Sequence, residues 1–223
     1  RSHCRLRLRP ARQRLDGDAG GVARRHRRRD FRAQPDDARA GADPPTDRTR
    51  DIALARGALL IEHRWAGDFA AARNAALERA TGDWILYIDA DERVAAWDRA
   101  TLDPLLRDPG TLACTVRFRP QTGFTRYREH RLFRRRPDLR FRGAIHESIL
   151  PALDEIRTNE PSSVAHSDVA IDHLGYDGDL EAKHRRNRPL LEARLASEPG
   201  HVYSRDHLGL VLQASGDFRG AEE

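Results

Sequence analysis

The run Trp84-Ile85-Leu86-Tyr87-Ile88-Asp89-Ala90-Asp91-Glu92 constrains this chain more than any other stretch. Five apolar residues, aromatic or β-branched at most positions, lead straight into three carboxylates. A short continuous apolar run of this kind predicts a buried strand of a parallel or mixed sheet. Thr81-Gly82-Asp83 bounds it in front and the acidic cluster bounds it behind. Side chains alternate faces along extended chain, so Asp89 and Asp91 are expected to point the same way, with Ala90 leaving room between them. Open α/β sheets place their ligands at the carboxyl ends of strands. Two like charges converging there call for a compensating cation, and hard oxygen ligands suit Mg²⁺ or Mn²⁺. Capping of a following helix is the plainer use of the same carboxylates, and spacing alone does not choose between the two.

The formal net charge of +5 over 223 residues hints at a nucleic-acid partner until its location is considered. Residues 1–50 hold 15 Arg and 7 Asp with no Glu or Lys, so this segment carries +8 and the remaining 173 residues −3. Residues 1–43 contain few large apolar side chains, no β-branched run and no helical periodicity, which makes disorder the expectation there. Arg24-Arg25-His26-Arg27-Arg28-Arg29 has the makings of a phosphate-binding tail, but Phe31 is the only aromatic available in the segment to stack on a base. No nucleic-acid partner is expected.

From Thr49 onward the pattern is regular. A short helix is predicted over Thr49–Gly57, then a strand over Ala58–Ile61. Asp68 can cap a helix from Phe69 to about Ala80, with Phe69, Ala72, Ala76, Leu77 and Ala80 as its apolar stripe. Arg73 and Asn74 fall near its opposite side, where a solvated pair is the reading by pattern alone. Helix is predicted again over Trp97–Arg107, strand over Leu112–Phe118 and Tyr127–Arg136, and a last strand over Val164–His173. The cations Arg131, Arg134, Arg135, Arg136, Arg140 and Arg142 read as a solubilising surface, from which one or two would serve an anionic ligand. Helices are expected over Leu180–Ala196 and Pro199–Ala214, with a third starting at Gly216-Asp217-Phe218.

Three stretches together carry a resemblance: Trp65-Ala66-Gly67-Asp68-Phe69-Ala70-Ala71-Ala72-Arg73-Asn74, Ala80-Thr81-Gly82-Asp83-Trp84, and Asp89-Ala90-Asp91-Glu92. In this combination the sequence resembles family 2 glycosyltransferases, especially bacterial members with tetratricopeptide repeats after the catalytic domain. Phe141-Arg142-Gly143-Ala144-Ile145-His146-Glu147 looks like the family's second signature, and His173-Leu174-Gly175-Tyr176 like a His-x-Gly-Tyr element bordering the active site. Pro199, Tyr203, Leu208, Gly209, Gly216, Asp217 and Ala221 resemble a tetratricopeptide repeat, and single repeats do not bury their own faces, so a longer array is expected.

The resemblance implies an α/β fold, a GT-A-like mixed sheet flanked by helices, followed by the start of a helical repeat. It implies metal-dependent, inverting transfer from a UDP- or GDP-linked sugar to a glycan, lipid-linked or protein acceptor, with a further protein partner for the repeat. By the same implication Arg73 faces the nucleotide, Asn74 and His173 join the donor site, and Asp89 contacts either ribose or metal. Asp91 is the direct ligand of Mg²⁺ or Mn²⁺, His146 a third ligand or a diphosphate contact, and Glu147 the base that takes the acceptor proton. The divisions expected are 1–45, 46–176 and 177–223. Thr46-Asp47-Arg48-Thr49 looks like the tail of the family's nucleotide loop, whereas residues 1–43 do not match the family's opening strands. A reading-frame error or truncated gene is expected there. Two other readings stay open: an inactive remnant acting as a helical interaction module, and nucleic-acid binding through the first 50 residues.

Cys4 and Cys114 have no metal-ligand spacing and suit a reducing compartment. No Walker or dinucleotide-type glycine loop occurs, no apolar run approaches the roughly 20 residues of a membrane span, and no signal peptide is visible. A cytoplasmic location is expected, with peripheral association at the inner face of the membrane left open.

Overall fold

The computed structural model describes residues 5–6, 48–120, 127–174 and 180–222. The expectations for the remainder of the first 45 residues, and for Gly175 and Tyr176, lie outside the described residues. In chain order the elements are β1 (Arg5–Leu6), α1 (Thr49–Ala55), α2 (Phe69–Glu78), β2 (Trp84–Ile88), β3 (Glu92–Ala96), α3 (Arg99–Arg107), β4 (Thr111–Pro120), β5 (Tyr127–Arg134), α4 (Leu150–Asn159), β6 (Ser163–His173), α5 (Leu180–Ser197), α6 (Val202–Ala214) and α7 (Phe218–Glu222).

The strands form one mixed sheet in the order β1-β2-β5-β4-β6-β3. The β4–β6 pair is parallel and the remaining pairs are antiparallel. Both faces are covered, and the alternation along β2 shows how. Ile85 and Tyr87 turn towards a core made with α2 and α4, including Leu77, Phe133, Phe141 and Leu153. Trp84, Leu86 and Ile88 turn towards a second core with Cys114, Val116, Leu132, Ile171 and Leu102 of α3. The Trp84 indole fixes this second layer by donating to the Leu106 carbonyl at 3.0 Å. A mixed sheet flanked by helices is therefore what forms.

Helix α2 begins as its sequence requires, with the Asp68 carboxylate accepting from the Ala71 amide at 2.9 Å. Two expectations are corrected. Ala58–Ile61 is irregular, because after the left-handed turn at Gly57 (φ +69°) it pairs with no strand among the described residues. The acidic cluster caps no helix and is not extended chain. The Glu92 amide donates to the Asp89 carbonyl at 3.1 Å, closing a tight turn, and β3 then runs antiparallel to β6. Asp89 and Asp91 consequently meet different partners.

Helix α4 lies in a stretch where the pattern predicts no element, although Ala152, Leu153 and Ile156 supply its buried face and Pro151 stands in its first turn. Further along the chain α5 and α6 pack on one another. Their Leu191 and Val211 join Ile145, with Phe69, Leu190 and Leu208 against them, in a third apolar cluster. No described helix is long and apolar enough to cross a membrane.

Candidate active site

The chemistry gathers where β2 runs out, between the end of the strand, helix α2 and the loop 143–147. Arg73 reaches from α2 into this corner with its side chain only 14% exposed. Its Nη2 lies 2.9 Å from Asp89 Oδ1, and its Nε donates to Glu147 Oε1 at 2.5 Å. The guanidinium sits over the rings of Tyr87 and Phe141, at 5.0 and 5.4 Å from their centroids. Aromatic faces of this kind attract a cation while excluding water. Residues 73, 89 and 147, far apart in sequence, thus form one charge cluster.

A second arginine supports it from β5. Arg131 is buried and makes a two-pronged pair with the equally buried Glu92, Nη2–Oε1 at 2.9 Å and Nη1–Oε2 at 3.2 Å. The same Nη1 stands 3.4 Å from Asp89 Oδ2, the Nε pairs with Glu129, and the guanidinium lies 4.5 Å from the Tyr87 ring centre. Glu92 Oε2 also accepts the Asp89 backbone amide at 2.7 Å, which fixes the turn that carries Asp89 and Asp91. Burial pushes the Asp89 carboxyl up, but the Arg73 and Arg131 guanidiniums more than offset this and hold it below the usual carboxylate range. Burial wins at Glu92, whose carboxyl is raised despite Arg131. Tyr87, pushed up to about 12 by burial, stays a neutral floor beneath both arginines.

Asp91 stands apart from this network. Its Oδ2 is 3.1 Å from His173 Nε2 at the end of β6, and its backbone carbonyl accepts the Leu174 amide at 2.8 Å. Both side chains are about one-third exposed, at 32% for Asp91 and 34% for His173. Among the described residues no three His, Cys, Asp or Glu side chains converge as a metal cage. The donor chemistry nonetheless fits Mg²⁺ or Mn²⁺, because such ions are commonly held by one or two carboxylates with substrate phosphates and water completing the shell. Asp91, with His173 beside it, is the group with oxygens to offer; Asp89 is held by two guanidiniums.

The remaining candidates are placed differently. Asn74 turns inward, donating to the Phe141 carbonyl and accepting from the Phe141 amide, each at 2.9 Å. It therefore joins α2 to the chain leading into Glu147. Replacing Asn74 by Ala leaves a buried backbone pair without its partners and should cost about 1–3 kcal/mol. Denaturant titration would measure this, and an unchanged midpoint would contradict the assignment. His146 adopts a left-handed backbone (φ +53°) and faces α6, with Nδ1 3.2 Å from Ser204 Oγ and its ring against Tyr203 and His207. Burial, helped by His207, His201 and Arg194, lowers it to about 4, so it is neutral at pH 7. The structure does not assemble Asp89, Asp91 and His146 into one ligand set.

In the sequence Glu92 stands only as the last member of the acidic run and Arg131 only as one of six similar cations; the structure pairs the two beside Asp89. The signal for Arg131 was its place in β5, two residues from Phe133 and two from Glu129, hence on the face that meets Tyr87.

Residues 42–160 match the profile of glycosyl transferase family 2, more than half of the chain, and the chain belongs to that family. The GT-A-like character of the mixed sheet agrees with it. Over 183 residues, 79% of this chain, it is 40% identical to a TPR repeat-containing protein of Synechococcus elongatus, 45% of which is covered. Over 150 residues, 61% of this chain, it is 29% identical to the SPbeta prophage-derived glycosyltransferase SunS of Bacillus subtilis, 33% of which is covered. The same figures hold for glycosyltransferase SunS of Bacillus phage SPbeta. The chain spans less than half the length of the curated relatives it matches.

Proposed function

We propose that the chain transfers a sugar from a UDP- or GDP-linked donor to a hydroxyl or similar acceptor, with inversion at the sugar carbon. Glycosyl transfer in general follows from the family. The observation that carries the finer reading is the single guanidinium of Arg73 held between Asp89 and Glu147. A diphosphate entering this corner competes with both carboxylates for Arg73, because the planar fork of Arg pairs with phosphate oxygens as well as with carboxylates. Taking Arg73 away from Glu147 frees that carboxylate. Glu147 then removes the proton of the acceptor hydroxyl, whose oxygen attacks the sugar carbon on the face opposite the diphosphate. The carbon–oxygen bond to the diphosphate breaks, and its electron pair leaves with the nucleotide.

Asp89, kept ionised by its two arginines, is assigned to the ribose or to the donor's charged groups. Asn74 and His173 belong to the donor side, Asn74 by fixing the chain ahead of Glu147 and His173 by bordering Asp91. Asp91 with His173 would hold Mg²⁺ or Mn²⁺, which supplies positive charge to the departing diphosphate. Among the described residues the charge balance supports a cation here: the carboxylates of Asp89, Asp91, Glu92, Glu129 and Glu147 are set against the guanidiniums of Arg73 and Arg131. An anionic donor adds to that excess.

Acceptors of the class proposed are glycans, lipid-linked sugars or proteins. A separate protein partner for the helical end is proposed on two grounds: Val202, Tyr203, Leu210 and Phe218 are exposed there, and one relative is named as repeat-containing.

Calorimetric titration with UDP, and in parallel GDP, with and without Mn²⁺ tests the donor site. Binding of one nucleotide that needs Mn²⁺ and is lost in Asp91→Ala is the expected result. The absence of binding by either nucleotide would leave the inactive-remnant reading in its place.

A further inference from the structure

Every residue of the loop that presents Glu147 is tied to something, and most of the ties lead away from the sheet. Arg142 and Ser148 close its base, each amide donating to the other's carbonyl at 2.9 Å. Gly143 takes φ +99°, a backbone conformation that favours glycine, and a Cβ there would lie 2.4 Å from Arg194 Nη1, so a side chain at this position would also displace the guanidinium. The Ala144 carbonyl accepts the Phe69 amide at the start of α2, at 2.9 Å. The Ile145 carbonyl accepts from Arg194 Nη1 at 3.2 Å, and the Ile145 side chain is buried against Leu191 and Val211. His146, in its left-handed conformation, is met by Ser204. His201, Tyr203 and His207 flank its ring. Only then does the chain reach Glu147 and Arg73.

Two of these features are costly for fold stability alone. A non-glycine residue with positive φ persists only where its surroundings over-determine it, and such strain clusters at functional sites. Arg194 is largely buried, and among the described residues its Nε has no hydrogen-bond partner. His146 directly precedes Glu147, and Arg194 bonds the Ile145 carbonyl two residues before it.

From this arrangement we infer that helices α5 and α6 are a working part of the active site, with Arg194 and Ser204 as the residues that position Glu147 for proton transfer. The inference rests on the proposed role of Glu147 as base. The helical end is then more than a platform for partners: its first two helices hold the loop at Ile145 and His146, the two residues before the carboxylate. Neither Arg194 nor Ser204 reaches the donor corner itself, so their loss should alter the rate rather than the affinity for nucleotide.

The test uses the chain with Arg194→Ala, Arg194→Lys, Ser204→Ala and, as reference, Glu147→Gln. Three quantities are read: UDP or GDP release from UDP-glucose, UDP-N-acetylglucosamine and GDP-mannose; the Kd for the free nucleotide; and hydrogen exchange of the amides in residues 143–148. Arg194→Ala and Ser204→Ala are expected to lower kcat by about 10- to 100-fold, the scale of a misplacement near 1 Å. Kd should stay within about twofold while exchange in the loop rises, as expected when only the geometry is lost. Arg194→Lys, which keeps a donor for the Ile145 carbonyl, should recover part of the rate. Should Arg194→Ala not fold, Ser204→Ala and Arg194→Lys carry the test. Unchanged kcat and unchanged exchange would overturn the inference, as would a rate and an affinity that fall together. Full turnover in Glu147→Gln would instead overturn the role of Glu147, while the exchange result would still report whether α5 and α6 hold the loop.

Discussion

Replacing Arg131 by alanine should destabilise the protein by about 3–5 kcal/mol, measured as the free energy of unfolding in denaturant. The cause is the company Arg131 keeps. Its side chain is 7% exposed and that of Glu92 only 2%, so removing the guanidinium leaves a carboxylate in the sheet with no counter-charge. The Asp89 and Glu129 carboxylates lose a partner at the same time. The deficit should depend on pH, and its sign follows from Glu92. Burial already raises this carboxyl against the pull of Arg131; without Arg131 it takes up its proton at still higher pH. Below that pH the buried group is neutral, so the gap between variant and parent narrows on acidification. A loss under about 1 kcal/mol, the scale of an exposed pair, would contradict this picture.

Glu147→Gln should lower turnover by about 10²- to 10⁴-fold, the span that a positioned general base contributes. Nucleotide affinity should hold or rise. The amide no longer competes as an ion for Arg73, so the guanidinium is more available to a diphosphate. Nucleotide release from UDP-glucose, UDP-N-acetylglucosamine and GDP-mannose measures the first effect, and calorimetry with UDP and GDP the second. The opposite pattern, full turnover with weakened nucleotide binding, would move Glu147 from the acceptor side to the donor side.

Elements whose signal is local were legible in the sequence. Trp84–Ile88 is a strand to the residue, and Asp68 starts α2 where a capping carboxylate should. What lay beyond reach depends on pairing across the chain. The Asp-Ala-Asp-Glu run looked like extended strand or a helix cap. It turns instead, because β6 lies ready to pair with residues 92–96 and Glu92 can reach back to the Asp89 amide. Ala58–Ile61 has strand composition without a strand partner among the described residues.

At the site, Arg73, Asp89 and Glu147 belong to three separate stretches of sequence, and the structure brings them into one cluster. Asn74 and His146 stand beside Arg73 and Glu147 in the same stretches. Their side chains turn to the Phe141 backbone and to α6, which no motif of consecutive residues announces. Arg131 was one of six cations in a row of similar appearance; only the pleat of β5 and the position of Tyr87 distinguish it.

A crystal structure of the chain grown with UDP and Mn²⁺ would test the central claim most directly. The account predicts the diphosphate against Arg73, with Glu147 released from its ion pair and Mn²⁺ held by Asp91. A nucleotide bound elsewhere, with the Asp89–Arg73–Glu147 cluster undisturbed, would contradict it.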